Sequence, residues 1–446
     1  MTDGATPASR AEAGPEAGQA GVTADHAAAD TWPADAKAGA DGAAPGDVWS
    51  LARPRRTGGE ASSDDVPAPD DSENLARRGR AGGEASSDDV PAPDDSENLV
   101  RRGRAGIAIA VASVALAGAL VLALYVGPAG LSLATVADAL LSKLPWHPAV
   151  SVPPVDVAII WQIRAPRVVL AALVGAMLSG GGAAYQGVFR NPLADPYLLG
   201  VAAGAGLAAT IAVVAGASPG VLPPAAFAGG AGAVAITYVL GSGAGRDRES
   251  PGLGGTTTSI VLAGVAVAAL LTAIQTYVLQ QHTRVLQQVY SWVLGELSLA
   301  SWSNVTTILP YVAVSAVVLL AHRRLLDVLR VGEAEASALG VDVARVRLTV
   351  VLAATLGTAA AVSMSGLIGF VGIIVPHTVR LAAGSSYRIV LPVSMIGGAA
   401  FLVLADLVAR TAQAPAEVPI GVITAAAGAP FFLFVLRSSR TRRDLA

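Results

Sequence analysis

An all-α membrane protein with about ten spanning helices is the fold class that this sequence predicts. Three observations point there. Charged residues make up only 14% of the 446 while hydrophobic ones reach 53%, against about 25% charged in an ordinary soluble domain. The charge is uneven as well: Asp, Glu, Arg, Ser, Gly and Pro crowd the chain before residue 105, and Ala, Val, Leu, Ile and Gly dominate from Gly106 onward. Finally, the apolar runs recur at about the 20 residues that a bilayer core of about 30 Å demands of a helix.

Taken in order, the first element is a tail, 1–104, expected to be disordered and cytoplasmic. Its start lacks the basic and apolar regions of a secretory signal, and it has too few large apolar residues to offset the entropy of ordering. A 24-residue unit, GGEASSDDVPAPDDSENLARRGRA, begins at Gly58 and recurs at Gly82 with Ala76 replaced by Val100. Two copies without an apolar face point to duplication in a disordered segment rather than a solenoid. Arg101, Arg102 and Arg104, beside the first span, are suited to anionic lipid headgroups.

The second unit, 105–440, is expected to hold spans at 106–126, 165–187, 196–217, 223–243, 258–281, 305–322, 347–364, 367–384, 389–409 and 420–437. The stretch 281–304, with two Trp and a Tyr, predicts a short interfacial helix. Alternate loops and termini carry seventeen basic residues against five on the other side, Lys143, Arg164, Arg167, Arg284 and Arg410. The positive-inside bias then puts both termini in the cytoplasm, as an even number of spans requires. Glycines such as Gly200, Gly204, Gly366, Gly369 and Gly372 suit close helix packing in lipid.

The sequence excludes several chemistries. Without Cys there is no disulfide, thiolate metal site or Cys nucleophile. No HExxH, GxSxG or P-loop pattern occurs, so no catalytic residue is expected and any ATPase must be another chain. His377 has no second ligand at metal spacing on its helix, which favours a helix-end hydrogen bond over a metal site. Asp406 and Glu417, near span ends, are expected to form local pairs. No nucleic-acid partner is expected.

Three segments carry a family resemblance. RAPR at 164–167 is followed by RNPLADP at 190–196; LLDVLRVGEAEASALGVDV fills 325–343; and GFVGIIVPHTVR, ADLVAR and PIGVITAAAGAPFF follow one another between 366 and 432. Together they resemble the FecCD-type permeases, the vitamin B12 and ferric-siderophore branch of ABC importers. The resemblance runs through essentially all of 106–437 and leaves the repeat-bearing tail without a counterpart.

The resemblance implies a type II ABC importer permease in the bacterial inner membrane. Its expected partners are a second permease subunit, two ATPase subunits that bind ATP and Mg, and an external substrate-binding protein. A ferric siderophore is the expected cargo, ahead of heme and cobalamin. Arg164, Arg167 and Arg410 would dock the binding protein, although RAPR also suits a helix anchor with snorkelling Arg, and Arg410 could pair with Asp406 one turn earlier.

Within the loop 323–346, a short helix from Glu333 to Leu339 ended by Gly340 would meet the ATPase, with Gly332, Glu333, Ala336, Leu339 and Gly340 as its contacts. Its small residues suit a groove, and an amphipathic surface helix is the plainer reading. Asn191, Pro192 and Leu193, with Thr257 and Thr258 in the stretch Thr256 to Ser259, would form a cytoplasmic gate or, more simply, a tight turn. An ion-coupled secondary transporter, working without an ATPase, is the alternative from another class, but such proteins often carry midplane charges and inverted repeats. Here the charges sit at span ends. An intramembrane enzyme lacks a candidate nucleophile.

Overall fold

A computed structural model describes residues 95–143, 152–243 and 255–443. The tandem repeat and most of the tail expected at 1–104 lie outside these residues. The helices, in chain order, are α1 Asp95–Tyr125, α2 Leu133–Leu141, α3 Pro154–Val188, α4 Val201–Val214, α5 Leu222–Gly243, α6 Gly255–Gln281 and α7 Leu286–Val293. They continue with α8 Trp302–Leu329, α9 Glu333–Ala338, α10 Val343–Ser365, α11 Val371–Ala383, α12 Tyr387–Thr411 and α13 Ile420–Arg443. No strand occurs among the described residues.

Seven of these helices are long and apolar enough to cross a membrane, and α4, α11 and Ile420–Val435 of α13 are shorter apolar helices in the remaining expected positions. The expected interfacial helix is α7. Because α1 already begins at Asp95, the segment 95–104 assigned to the tail is helical.

Helix α3 is the hub. It packs against α8, α10, α11 and α12, and its second half is buried on every side, as a helix apolar all round must be. Its small residues let other backbones reach it. A Cβ on Gly175 would overlap the carbonyl oxygen of Gly398 on α12, and one on Gly182 would overlap the backbone of Gly372 on α11. A second group is built the same way: Gly204 of α4 lies against the carbonyl of Gly229 on α5, and α6 packs on both. In lipid such approaches gain van der Waals contact that the hydrophobic effect cannot supply.

The glycines expected to serve close packing take different roles. Gly200 takes φ +86° ahead of α4, Gly366 takes φ +68° against the Trp292 carbonyl, Gly369 meets nothing within 4 Å, and only Gly372 packs directly on α3.

Two expected spans are broken. α4 begins at Val201 rather than 196, because Asp195–Gly200 turns, and α11 begins at Val371 rather than 367. At 1.5 Å per residue neither helix reaches the bilayer thickness of about 30 Å. The unwound backbone is satisfied internally, as buried backbone polar groups must be. The Tyr197 hydroxyl donates to the Ile368 carbonyl at 3.0 Å and accepts from the Ile368 N–H at 3.0 Å. Gln186 on α3 donates to the carbonyls of Gly372 (3.0 Å) and Ala194 (3.1 Å).

Gly182→Leu should therefore abolish assembly, since the side chain would meet fixed backbone rather than a movable side chain. The expected outcome is loss of the monodisperse peak in detergent size-exclusion chromatography, while Gly369→Ala, which faces open space, elutes as wild type.

Candidate functional site

Functional residues gather at the two ends of the bundle. At the end poor in basic residues, the first turn of α3, Pro154–Ala158, runs into a π-helical turn, Ile159–Arg164, followed by Ala165-Pro166-Arg167. The extra residue in a π turn re-aims its side chains, and such turns recur at functional sites. Arg164 reaches the end of α1, donating to the carbonyls of Leu124 (2.7 Å) and Tyr125 (2.8 Å). These carbonyls have no helical partner of their own, and a cation suits the negative end of the helix dipole.

Arg167 grips two carboxylates. Its Nε and Nη2 donate to Asp406 at 2.8 to 3.0 Å, and Nη1 and Nη2 donate to Glu417 at 2.8 and 2.9 Å. Arg410 donates to the Ala123 carbonyl and lies 3.9 Å from Asp406.

All three arginines are turned into the protein: 3% of Arg164, 7% of Arg167 and 5% of Arg410 is exposed. The sequence places them at span ends, where docking or anchoring both fit, and the helix-anchoring contacts are the ones observed here. Asp406 and Glu417, expected in local pairs, instead share a guanidinium from α3, with Asp406 adding the weaker contact to Arg410 one turn on. Two buried N–H groups in the cluster, Arg164 Nη2 and Arg410 Nε, have no hydrogen-bond acceptor. Glu417 is the cluster's accessible edge, with 39% of its side chain exposed.

At the basic end Glu333 of the expected coupling helix meets Thr257 of the expected gate. The helix α9 runs Glu333–Ala338 after Gly332, and it is closed by Gly340 at φ +81°, where the Val341 N–H returns to the Ala336 carbonyl at 3.0 Å. Left-handed backbone of this kind favours Gly at a helix end. Glu333 is turned inward. It pairs with Arg347 at the start of α10, lies 3.7 Å from Arg190 after α3, and accepts from the Thr257 hydroxyl of α6 at 3.3 Å. One carboxylate thus ties α9 to three other segments, two of them belonging to the expected gate.

Ala336 was expected to face a partner's groove, but it is fully buried in the chain's own core. Within the six-residue helix Ala334, Glu335, Ser337 and Ala338 are exposed, and Leu339 follows them outward. Leu339 (74% exposed) and Val331 (71% exposed) are the uncovered apolar side chains flanking α9.

Asn191, Pro192 and Leu193 are exposed, and Asn191 Oδ1 accepts from the Leu193 N–H at 2.9 Å, a turn that these residue types favour. Next to them, burial pushes the Asp195 carboxyl up to about 6, against the lowering effect of a hydrogen bond from the Tyr197 N–H.

Arg190 and Arg347 are the residues that sequence reading missed. Arg190 adjoins the Asn-Pro-Leu turn, a usable signal, whereas nothing in the sequence links Arg347 to Glu333. His377 packs edge-on to Phe431 at 6.0 Å, and no metal-binding cluster of His, Cys, Asp or Glu exists among the described residues.

A profile described as the FecCD transport family matches residues 115–438. The cobalamin import system permease protein BtuC of Halobacterium salinarum is 40% identical over 369 residues, covering 75% of this chain and 96% of that one. The hemin transport system permease protein HmuU of Yersinia pestis is 37% identical over 298 residues, covering 64% and 85%. Among solved structures, one assigned to the metal-chelate type of ABC transporters, in an inward-facing conformation, aligns with a TM-score of 0.64 at 28% identity over 74% of this chain and 98% of its own.

Two outcomes follow from this geometry. Arg167→Ala leaves the buried Asp406 carboxylate with only its 3.9 Å contact to Arg410, a loss of about 3 kcal/mol, as for a broken buried pair. Thermal unfolding in detergent should show a large fall in midpoint, which Arg167→Lys does not repair because an ammonium cannot fork between two carboxylates. Asp195 has the opposite sign. Its folded-state pKa lies above its unfolded value, so it lowers stability as pH rises from about 4 to about 6. Asp195→Asn should raise the midpoint at pH 7.5, less at pH 5, and leave it unchanged near pH 4.

Proposed function

Since this chain belongs to the FecCD transport family, we propose that it is the membrane-spanning subunit of an ATP-driven importer of a metal chelate or corrinoid. A ferric siderophore is the first cargo to test, with heme and cobalamin beside it. Two copies, or this chain and a related one, form the path between them. ATP and Mg bind to two separate ATPase subunits at the basic, cytoplasmic end, where both termini lie. A binding protein delivers cargo at the other end.

The observation that carries this reading is the Glu333 junction. An ATPase pressing on α9 through Leu339 and Val331 would pull on Glu333, and with it on Arg190 and Thr257 beside the expected gate residues Asn191, Pro192, Leu193 and Thr258. Ala336 acts beneath, seating α9 on the core. For docking at the opposite end, support comes from the exposed edge at Glu417. Arg164, Arg167 and Arg410 shape that surface from below, so partner association there should depend only weakly on salt.

The test reconstitutes the chain with its ATPase and binding protein in proteoliposomes. Leu339→Asp should leave insertion intact but lose ATPase copurification, with chelate uptake down about tenfold or more, the scale of an interface hot spot. Glu333→Gln should keep the ATPase bound while uptake per ATP falls. Unchanged uptake in both variants would place coupling elsewhere.

A further inference from the structure

Beside the span ends of α1, α11 and α12 lies a cavity of ≈ 790 Å³ at the basic end, whose charged lining is Arg104, Arg330, Arg388 and Asp327. A second hollow of ≈ 490 Å³ runs down the flank of the same three helices and is almost wholly apolar, with Ile107, Val111, Ile374, Val379 and Phe401 in its wall. The two share Arg104 and Ala383. They therefore join where α1 passes from its basic start to its apolar run, the depth at which a span leaves the hydrocarbon.

We propose that this double hollow binds an anionic glycerophospholipid of the leaflet at the basic end. Its phosphate sits among Arg104, Arg330 and Arg388, and an acyl chain lies along α1, α11 and α12. Three guanidiniums face one carboxylate there, and that carboxylate is already engaged: Asp327 accepts from the Ser386 hydroxyl at 2.7 Å and the Tyr387 N–H at 2.6 Å. Arg330 is pre-set, held by the Ser385 carbonyl and hydroxyl at 2.8 and 2.7 Å. Arg388, 62% exposed and 3.7 Å from Asp327, keeps N–H groups to offer, and Arg104 is exposed. A fork of N–H donors suits phosphate, and basic pockets between spans on such a face suit anionic headgroups. Charge alone would fit an acidic protein equally well. The apolar hollow decides the occupant, because Ile107 and Val111, 66% and 63% exposed, lie along the membrane flank where acyl chains are the available cover.

The experiment purifies the full chain in mild detergent and quantifies retained phospholipid by native mass spectrometry after exposure to equal amounts of phosphatidylglycerol and phosphatidylcholine. The wild type should retain phosphatidylglycerol selectively. R104Q/R388Q spares the contacts that hold Arg330 to Ser385 and should cut retention on the order of tenfold or more, while R345Q, also at this end, leaves it unchanged. Val111→Trp, which fills the apolar hollow and keeps every charge, should also reduce retention, and 10 mM inorganic phosphate, a test concentration on the order of free cellular phosphate, should not displace the lipid. Equal retention of both lipids, or full retention by R104Q/R388Q, overturns the proposal. So does displacement by phosphate alone, or an R104Q/R388Q variant that keeps its lipid but loses the ATPase subunit, which would give the cavity to that partner. These readouts involve no transport, so they stand or fall separately from the importer reading.

Discussion

Everything in this bundle depends on how closely α3 admits its neighbours. At Gly175 and Gly182 the helix touches backbone rather than side chains, with α12 on one side and α11 on the other. In water a helix could compensate for a looser crossing by burying larger side chains, but in lipid that route is weak because acyl chains are as apolar as Leu. Tight backbone contact then positions both ends of the molecule at once. It fixes the start of α3, where Arg167 meets Asp406 and Glu417, and its end, where Arg190 turns toward Glu333.

The same constraint explains the placement of charge. A guanidinium at a span end can reach water, yet Arg164, Arg167 and Arg410 are folded inward and joined to helix-end carbonyls and two carboxylates. A buried charge persists only when paired and hydrogen-bonded. Here the pairing links α1, α3, α12 and the approach to α13 in one cluster, so the end of the bundle is held by polar contacts where glycine packing stops. At the basic end the roles are similar but the cluster is smaller, with a single carboxylate serving four segments.

The span pattern was readable because twenty-residue apolar runs leave little choice in a bilayer, and the family resemblance rested on short motifs that the profile match supports. The helix breaks were harder to see. Pro196-Tyr197-Leu198-Leu199-Gly200 is apolar enough to pass for span, and only Pro196 and Gly200 hint that it turns. Partners were harder still. Asp406 stands four residues from Arg410, which invites a local pair, whereas its stronger contact, with Arg167, lies 239 residues away. Ala336 shows the limit of reading small residues as an outward groove, since smallness serves equally where a helix rests on its own core.

Tyr197 gives the fold a joint. Two stretches of open backbone, one before α4 and one before α11, meet through a phenol that both donates to and accepts from Ile368, with Gln186 bridging the Ala194 and Gly372 carbonyls beside it. Neither stretch relies on helical hydrogen bonds for its shape. The positions of the two half-length helices are therefore coupled through side chains, so that a displacement of one start is felt at the other.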